Sequence, residues 1–249
     1  MGGAAAAKFL GFQKGRGWRK AGWMIFPSEF WEALWLTIRL ASVSTMLLLI
    51  IGVPIAQWLA RGQGRIPLIA EALLTLPIVL PSTVIGFYLL AIFAPHTLPG
   101  AMWTRVMGQP LAFSFAGLVA GSVIYSLPFA IQPFRAGLSG VSRELLDVAR
   151  INGASALETF WHVTLPLAGR GIAAGVVLSF AHTLGEFGVV LMIGGSIPGR
   201  TKVVSIVLYD QVQKMNYAAA DAYSAVLLGV AFILILTVRL LQRRPAEAE

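Results

Sequence analysis

The stretch RELLDVARINGASALETFWHVTLP, residues 143–166, decides how this chain folds, because it is a weakly apolar island in a sequence otherwise composed for lipid. Ser142, Arg143 and Glu144 open a short helix, with the acids Glu144 and Asp147 in its first turns, where the helix dipole favours negative charge. Gly153 suits a sharp, left-handed turn, and residues 154–162 supply a second helix. Pro166 falls where the first turn of the following apolar run tolerates it. Such a bent pair is too short and too polar to span a bilayer. It is predicted to lie across the membrane surface and to offer its small, apolar side to a soluble subunit.

Outside the island the chain has little polar surface. Of its 249 residues 57% are hydrophobic and 12% charged, with a mean hydropathy of +0.77, which excludes a soluble globule. The absence of cysteine removes disulfides, thiolate metal sites and cysteine nucleophiles. A net charge of +8 does not point to nucleic acid, because the cations stand singly or in pairs at the ends of apolar runs, where they report topology. His96, His162 and His182 are far apart and no carboxylates stand with them at ligand spacing, so no metal site is expected. No serine has a base at triad spacing, and the seven methionines are scattered as packing residues are.

Crossing a hydrocarbon core of about 30 Å takes roughly 20 apolar residues, and about five such spans fit. They are expected at residues 33–60, 68–94, 111–134, from 167 through the run GIAAGVVLSFAHTLGEFGVVLMIGG, and 218–241. Pro77 and Pro81 interrupt the second, a bend tolerated only where neighbours or water satisfy the freed carbonyls, so this helix is expected inside a bundle. Gly117, Ala120 and Gly121 give the third a small face for close packing. Residues 95–110 are expected to be a polar connection and residues 196–216 an outer loop.

With the island cytoplasmic, the inner side holds Arg61, Arg65, Arg135, Arg143, Arg150, Arg170, Arg239, Arg243 and Arg244, against Arg105, Arg200, Lys202 and Lys214 outside. That bias has the right sign. The basic residues Lys8, Lys14, Arg16, Arg19 and Lys20 work against it and place a tail on the outer surface, with Trp18, Trp23, Trp31 and Trp35 as an interfacial belt and Arg39 snorkelling to the same boundary. The divisions are a basic, aromatic tail (1–30), a membrane domain (31–245) containing the loop 139–166, and a short tail (246–249).

Asp147, Val148 and Ala149, then Gly153 after three residues, Val163 after nine more, and Leu165 with Pro166 after one, resemble the EAA loop of ABC importer permeases, the element that docks on the ATPase. Asp147 and Val148 depart mildly from the usual Glu and Ala, and Asp147 keeps the charge. The resemblance covers nearly the whole chain after about residue 30. LPIVLPSTVIGFYLL (76–90) and HTLGEFGVVLMIGGSIPGRTKVVSIVLYDQV (182–212) are similar to the molybdate branch of these permeases. It implies an all-α membrane protein of the MetI-like permease fold, multi-pass in a prokaryotic inner or plasma membrane. It further implies a homodimer joined to two ATPase subunits that bind ATP and Mg, fed with molybdate or tungstate by an extracytoplasmic oxyanion-binding protein. Under it Glu144, Asp147, Ala149, Gly153, Ala154, Leu165 and Pro166 couple to the ATPase. No GxxxxGK[ST] loop occurs in the sequence, so the chain is expected to bind no cofactor and to catalyse nothing itself.

Gate and pathway candidates are Ser82, Thr83, Gly185, Glu186, Phe187 and Gly188. An intramembrane acid is expensive and functional by default, but Glu186 should repel an oxyanion, so it is expected to order a gate by pairing with His182 four residues earlier. Ser82 and Thr83, beside Pro81, are expected to satisfy backbone carbonyls. Arg200 and Lys202 read as solvated loop charges. Two alternatives stay open: a permease for sulfate or another oxyanion, and an ATP-independent secondary transporter or channel, which normally shows internal repeats and more membrane charges than occur here.

Overall fold

A computed structural model describes residues 26–242, and among these every regular element is helical. Residues 1–25 and 243–249, which include Trp18, Trp23, the five basic tail residues, Arg243 and Arg244, lie outside the described part. The first helix, α1 (Ser28–Arg61), is 34 residues long. At 1.5 Å per residue it measures about 51 Å, so it overruns the hydrocarbon by several turns. Trp31 and Trp35 are exposed on its outer turns.

The expected second span is two helices, α2 (Arg65–Val79) and α3 (Ser82–Ile92), bent by 112° at the break. Pro81 cannot donate to the helix before it and forces Leu80 into an extended conformation (ψ 137°). The bundle position predicted for this span holds only for α3, since α2 buries none of its residues within the chain. The connection after it is helical too: α4 (Leu98–Met107) is capped by Thr97, whose hydroxyl accepts from the Gly100 amide, and ends at Gly108 in the left-handed region.

α5 (Phe115–Ser139) is the central helix, packed against α1 on one side and against α8 (Leu165–Gly185) on another. Phe134, fully buried, anchors their core with Leu48, Ala56, Ala130 and Ala168. Gly52 and Gly175 make room for its ring from two sides, a Cβ on either standing 3.2 and 2.5 Å from it. α5 and α8 meet at Gly137 and Gly171 with their backbones almost touching, which is the small-residue packing lipid-embedded helices need. The predicted small face of α5 also packs: Gly121 seats the Ile193 side chain.

Between α5 and α8 lie α6 (Arg143–Ile151) and α7 (Ala156–Thr159). α7 is not separate from the fourth span. It passes through a widened π turn (Phe160–Thr164) into α8, making one 30-residue helix. Pro166 explains the widening, because its ring would collide with the carbonyl four residues back in a regular turn.

The fourth span stops sooner than expected. α8 ends at Gly185, Glu186 and Phe187 leave the helix, and α9 (Gly188–Gly194) is a separate short helix. The outer loop expected at 196–216 is likewise corrected: it holds α10 (Val204–Gln213), with Val204, Ser205, Ile206 and Val207 buried. α11 (Tyr217–Gln242) closes the chain, packed on α8 and α10 with most of its apolar surface outward. Among the described residues four helices are long and apolar enough to cross a membrane, and five spans result if the bent α2 and α3 count as one.

Candidate functional site: coupling loop and helix break

In the loop between α5 and α8, Ser142 caps α6 by accepting from the Leu145 amide at 3.4 Å. Glu144 lies in the first turn and Arg150 in the last, each at the helix end its charge favours. Leu146 is the one buried residue of α6 and roots it in the core of α1 and α5. The helix ends at Asn152, and Gly153 turns the chain with φ +86°, the left-handed conformation its position implied. A capping box then starts α7: Ser155 Oγ accepts from the Glu158 amide at 3.3 Å, and the Glu158 carboxylate accepts from the Ser155 amide at 2.8 Å.

The loop is held together locally and leaves its apolar side chains uncovered. Val148 is 54% exposed, Ile151 84%, Leu157 67% and Trp161 56%. Glu144, Asp147, Gly153 and Ala154 share this surface, while Leu165 and Pro166 sit where the loop enters α8. Beside the loop is a hollow of about 440 Å³ that brings together Arg61, Arg143, Arg150 and Asp147.

At the helix break, the expected groups do assemble. Gly188 packs on Ser82 so closely that a Cβ there would overlap the hydroxyl, and it would stand 3.2 Å from the Thr83 amide. The start of α3 is thereby fixed against the start of α9. Glu186 is 5% exposed with neither carboxylate oxygen hydrogen-bonded, and its own carbonyl accepts from Ser205 at 2.7 Å. The pairing expected between Glu186 and His182 is not formed. α8 ends before Glu186, so the four-residue helical spacing no longer applies. His182 shares a hydrogen bond of 2.9 Å with Ser126 and stacks on Phe129 at 3.8 Å. Ser122 and Tyr125, on α5, face Glu186 instead and were missed, because nothing in a single sequence marks two hydroxyls sixty residues away. Among the described residues neither Ser82 nor Thr83 hydrogen-bonds to a backbone carbonyl; Ser82 faces Gly188 and Tyr125. Phe187 packs its ring on Tyr209 of α10 at 5.0 Å. Gly185 has open space where a side chain would stand, so no neighbour within this chain requires a glycine there.

Lys202 also differs from expectation. It is buried, and its ammonium joins Glu29 of α1 at 2.6 Å and Asp210 of α10 at 2.5 Å. Burial works to lower its pKa, but the hydrogen bonds and charges of Asp210 and Glu29 outweigh that and raise it. Arg200 is exposed as expected, and Arg39 lies over the Phe115 ring at 4.6 Å. Among the described residues no group of three or more potential metal ligands occurs.

A permease built on a central helix pair, with a bent surface loop between two of its spans and a further span broken in two, is the class this geometry defines. Residues 49–246 match the family of binding-protein-dependent transport system inner membrane components, and the chain belongs to that family. It is a multi-pass inner-membrane permease subunit and not the ATPase. It is 48% identical over 189 residues to the molybdenum transport system permease protein ModB of Azotobacter vinelandii, covering 76% of this chain and 83% of that one. Identity to ModB of Escherichia coli strain K12 is 33% over 190 residues, with the same coverage, and to the E. coli sulfate transport system permease CysT it is 28% over 226 residues, 87% of this chain and 81% of that one. The fold matches a bacterial ABC transporter involved in import of the acidic polysaccharide alginate (TM-score 0.75, 16% identity, 98% of this chain and 89% of that one). It also matches the MetNI methionine ABC transporter in inward facing conformations (TM-score 0.61, 17% identity, 85% of this chain and 95% of that one). The MetI-like permease fold and a partnered ABC transporter follow.

Proposed function

We propose that this chain is the transmembrane subunit of an ATP-driven molybdate importer, with tungstate as an alternative cargo, working as a homodimer on two ATPase subunits and supplied by an external oxyanion-binding protein. The observation that carries the mechanism is the capped, bent loop of α6, Gly153 and α7 with its apolar side chains uncovered. Leaving Ile151 and Trp161 in water is unfavourable, and a groove on a soluble partner removes that exposure. In this reading Glu144, Asp147, Ala149, Gly153 and Ala154 meet the ATPase, and Leu165 and Pro166 carry the motion into α8. ATP and Mg are held by the ATPase. When the ATPases close, the paired loops move as rigid bodies and the helices reorient to open the path outward.

Ser82, Thr83, Gly185, Glu186, Phe187 and Gly188 form the gate in this account. The close fit of Gly188 on Ser82 ties α3 to α9, so motion of one drags the other. Five spans per chain enclose an aqueous path with difficulty, and a second copy around a twofold axis supplies the missing wall.

Molybdate as cargo rests on the 48% identity to the A. vinelandii permease; the 28% identity to CysT favours sulfate as the second reading. The deciding experiment is uptake of radiolabelled molybdate by the assembled complex with tungstate and sulfate in competition. Inhibition by tungstate and not by sulfate is expected. Equal or stronger inhibition by sulfate overturns the assignment of cargo.

A further inference from the structure

Apart from the loop and the helix break, the inner end of the chain holds a charged pair that neither uses. Arg135 of α5 donates to Glu71 of α2, 64 residues away in sequence. Both line a hollow of about 360 Å³ between α1, α2 and α5, together with Thr75, Gln132 and Ser139. Glu71 lies six residues into α2 and Arg135 four residues before the end of α5. At 1.5 Å per residue that puts them roughly 6–9 Å from those helix ends.

Both side chains remain partly open, 40% for Arg135 and 33% for Glu71. Five polar side chains are costly to set against lipid tails, so the hollow is expected to open onto water or onto protein that lines water. The pair is incompletely satisfied as well: Arg135 Nε is buried without a partner. The N–H groups that Glu71 leaves free on this partly open side chain match the oxygens of a tetrahedral oxyanion. Ser139 also edges the second hollow, where Arg61, Arg143 and Arg150 converge against Asp147 as the acid. Going inward, the lining passes from a balanced pair to an excess of positive charge.

We infer that the Arg135 hollow is a transit site for the oxyanion at the inner mouth, in which Arg135 exchanges the Glu71 carboxylate for the cargo. The inference rests on the oxyanion reading above. Glu71 competes with the anion for the same donors, which keeps the site weak, as a site on a transport path must be for release. α5 runs on to the coupling loop, with Arg143 only eight residues beyond Arg135. Movement of that loop therefore shifts Arg135 relative to Glu71.

The test uses the assembled complex in liposomes with its binding protein, and equilibrium retention of radiolabelled molybdate by the same complex in detergent. R135Q should lower uptake by about tenfold, the loss of one charge-assisted hydrogen bond, and should lower retention with it. E71Q, which frees the guanidinium, should raise retention above wild type, a gain that misfolding does not produce. E71Q/R135Q should follow R135Q. Wild-type uptake in the double variant would make the pair a mere strut between α2 and α5 and overturn the inference, as would unchanged retention in R135Q or reduced retention in E71Q. Labelled sulfate is run in parallel. If sulfate is preferred but the variants keep the same order, the cargo assignment falls and the site stands.

Discussion

Two segments between spans, the inner loop at 143–164 and the outer one at 195–216, look alike in composition and behave oppositely. The outer segment is finished within the chain: α10 buries Val204, Ile206 and Val207, and Lys202 is neutralised by Glu29 and Asp210. The inner segment satisfies its backbone with its own caps and buries little more than Leu146, leaving Val148, Ile151, Leu157 and Trp161 uncovered. Self-satisfied polar groups beside unsatisfied apolar ones are what a rigid docking element requires, because it must keep its shape before and after a partner covers it. The outer segment exposes Tyr209, Val212 and Met215 but roots the rest of α10 in the chain, and it reads as a structural closure.

The largest effect that would sharpen this contrast is expected from Gly153→Val. At φ +86° a β-branched residue is strained by about 1–3 kcal/mol, so the angle between α6 and α7 should change. ATP hydrolysis stimulated by loaded binding protein should fall at least about tenfold, while the protein still inserts and purifies. Wild-type coupling in this variant would break the comparison on its inner side.

Next is Lys202→Met, which leaves two acids facing each other across the outer segment. Breaking a buried pair is worth about 3–5 kcal/mol, and the partial exposure of Glu29 and Asp210 reduces this to about 1–3 kcal/mol. The unfolding temperature in detergent should drop, whereas Asp147→Asn on the inner loop should leave it nearly unchanged. The pH dependence has a definite sign. Because folding raises the Lys202 pKa, its contribution is complete below the ordinary lysine value and is lost only as pH climbs through the raised one. The difference in unfolding temperature between wild type and Lys202→Met should therefore stay constant from about pH 6 to 9 and shrink only at strongly alkaline pH.

A smaller effect is expected from Ser155→Ala, which removes one side of the capping box and about 1 kcal/mol from α7. Hydrogen exchange in residues 156–159 should quicken with no change in the rest of the chain.

Much of the inner loop was legible because its signals are local: a cap at Ser142, a turn glycine at 153, a proline at 166, all within reach of short-range rules. The broken second span was legible for the same reason, through Pro81, whereas Pro77, also read as an interruption, stays inside α2. What escaped depends on distant partners. Lys202 and Glu29 are 173 residues apart, so a buried ion pair looked like a solvated charge. α10 was hidden because its apolar stretch is short and flanked by polar residues, and tertiary burial, not length, makes it a helix. Glu186 and His182 looked paired because helical spacing was carried across Gly185, where the helix ends. The Glu71 and Arg135 pair lies on two helices whose adjacency no periodicity reveals.

The central claim is that the inner loop is a cytosolic docking surface covered by the ATPase. The sequence contains no cysteine, so Ile151→Cys creates a single thiol at the most exposed apolar position of the loop. Labelling with a membrane-impermeant maleimide should succeed only from the cytosolic side and should be blocked when the ATPase is co-assembled. Labelling from the outer side, or undiminished labelling in the presence of the ATPase, would contradict the account.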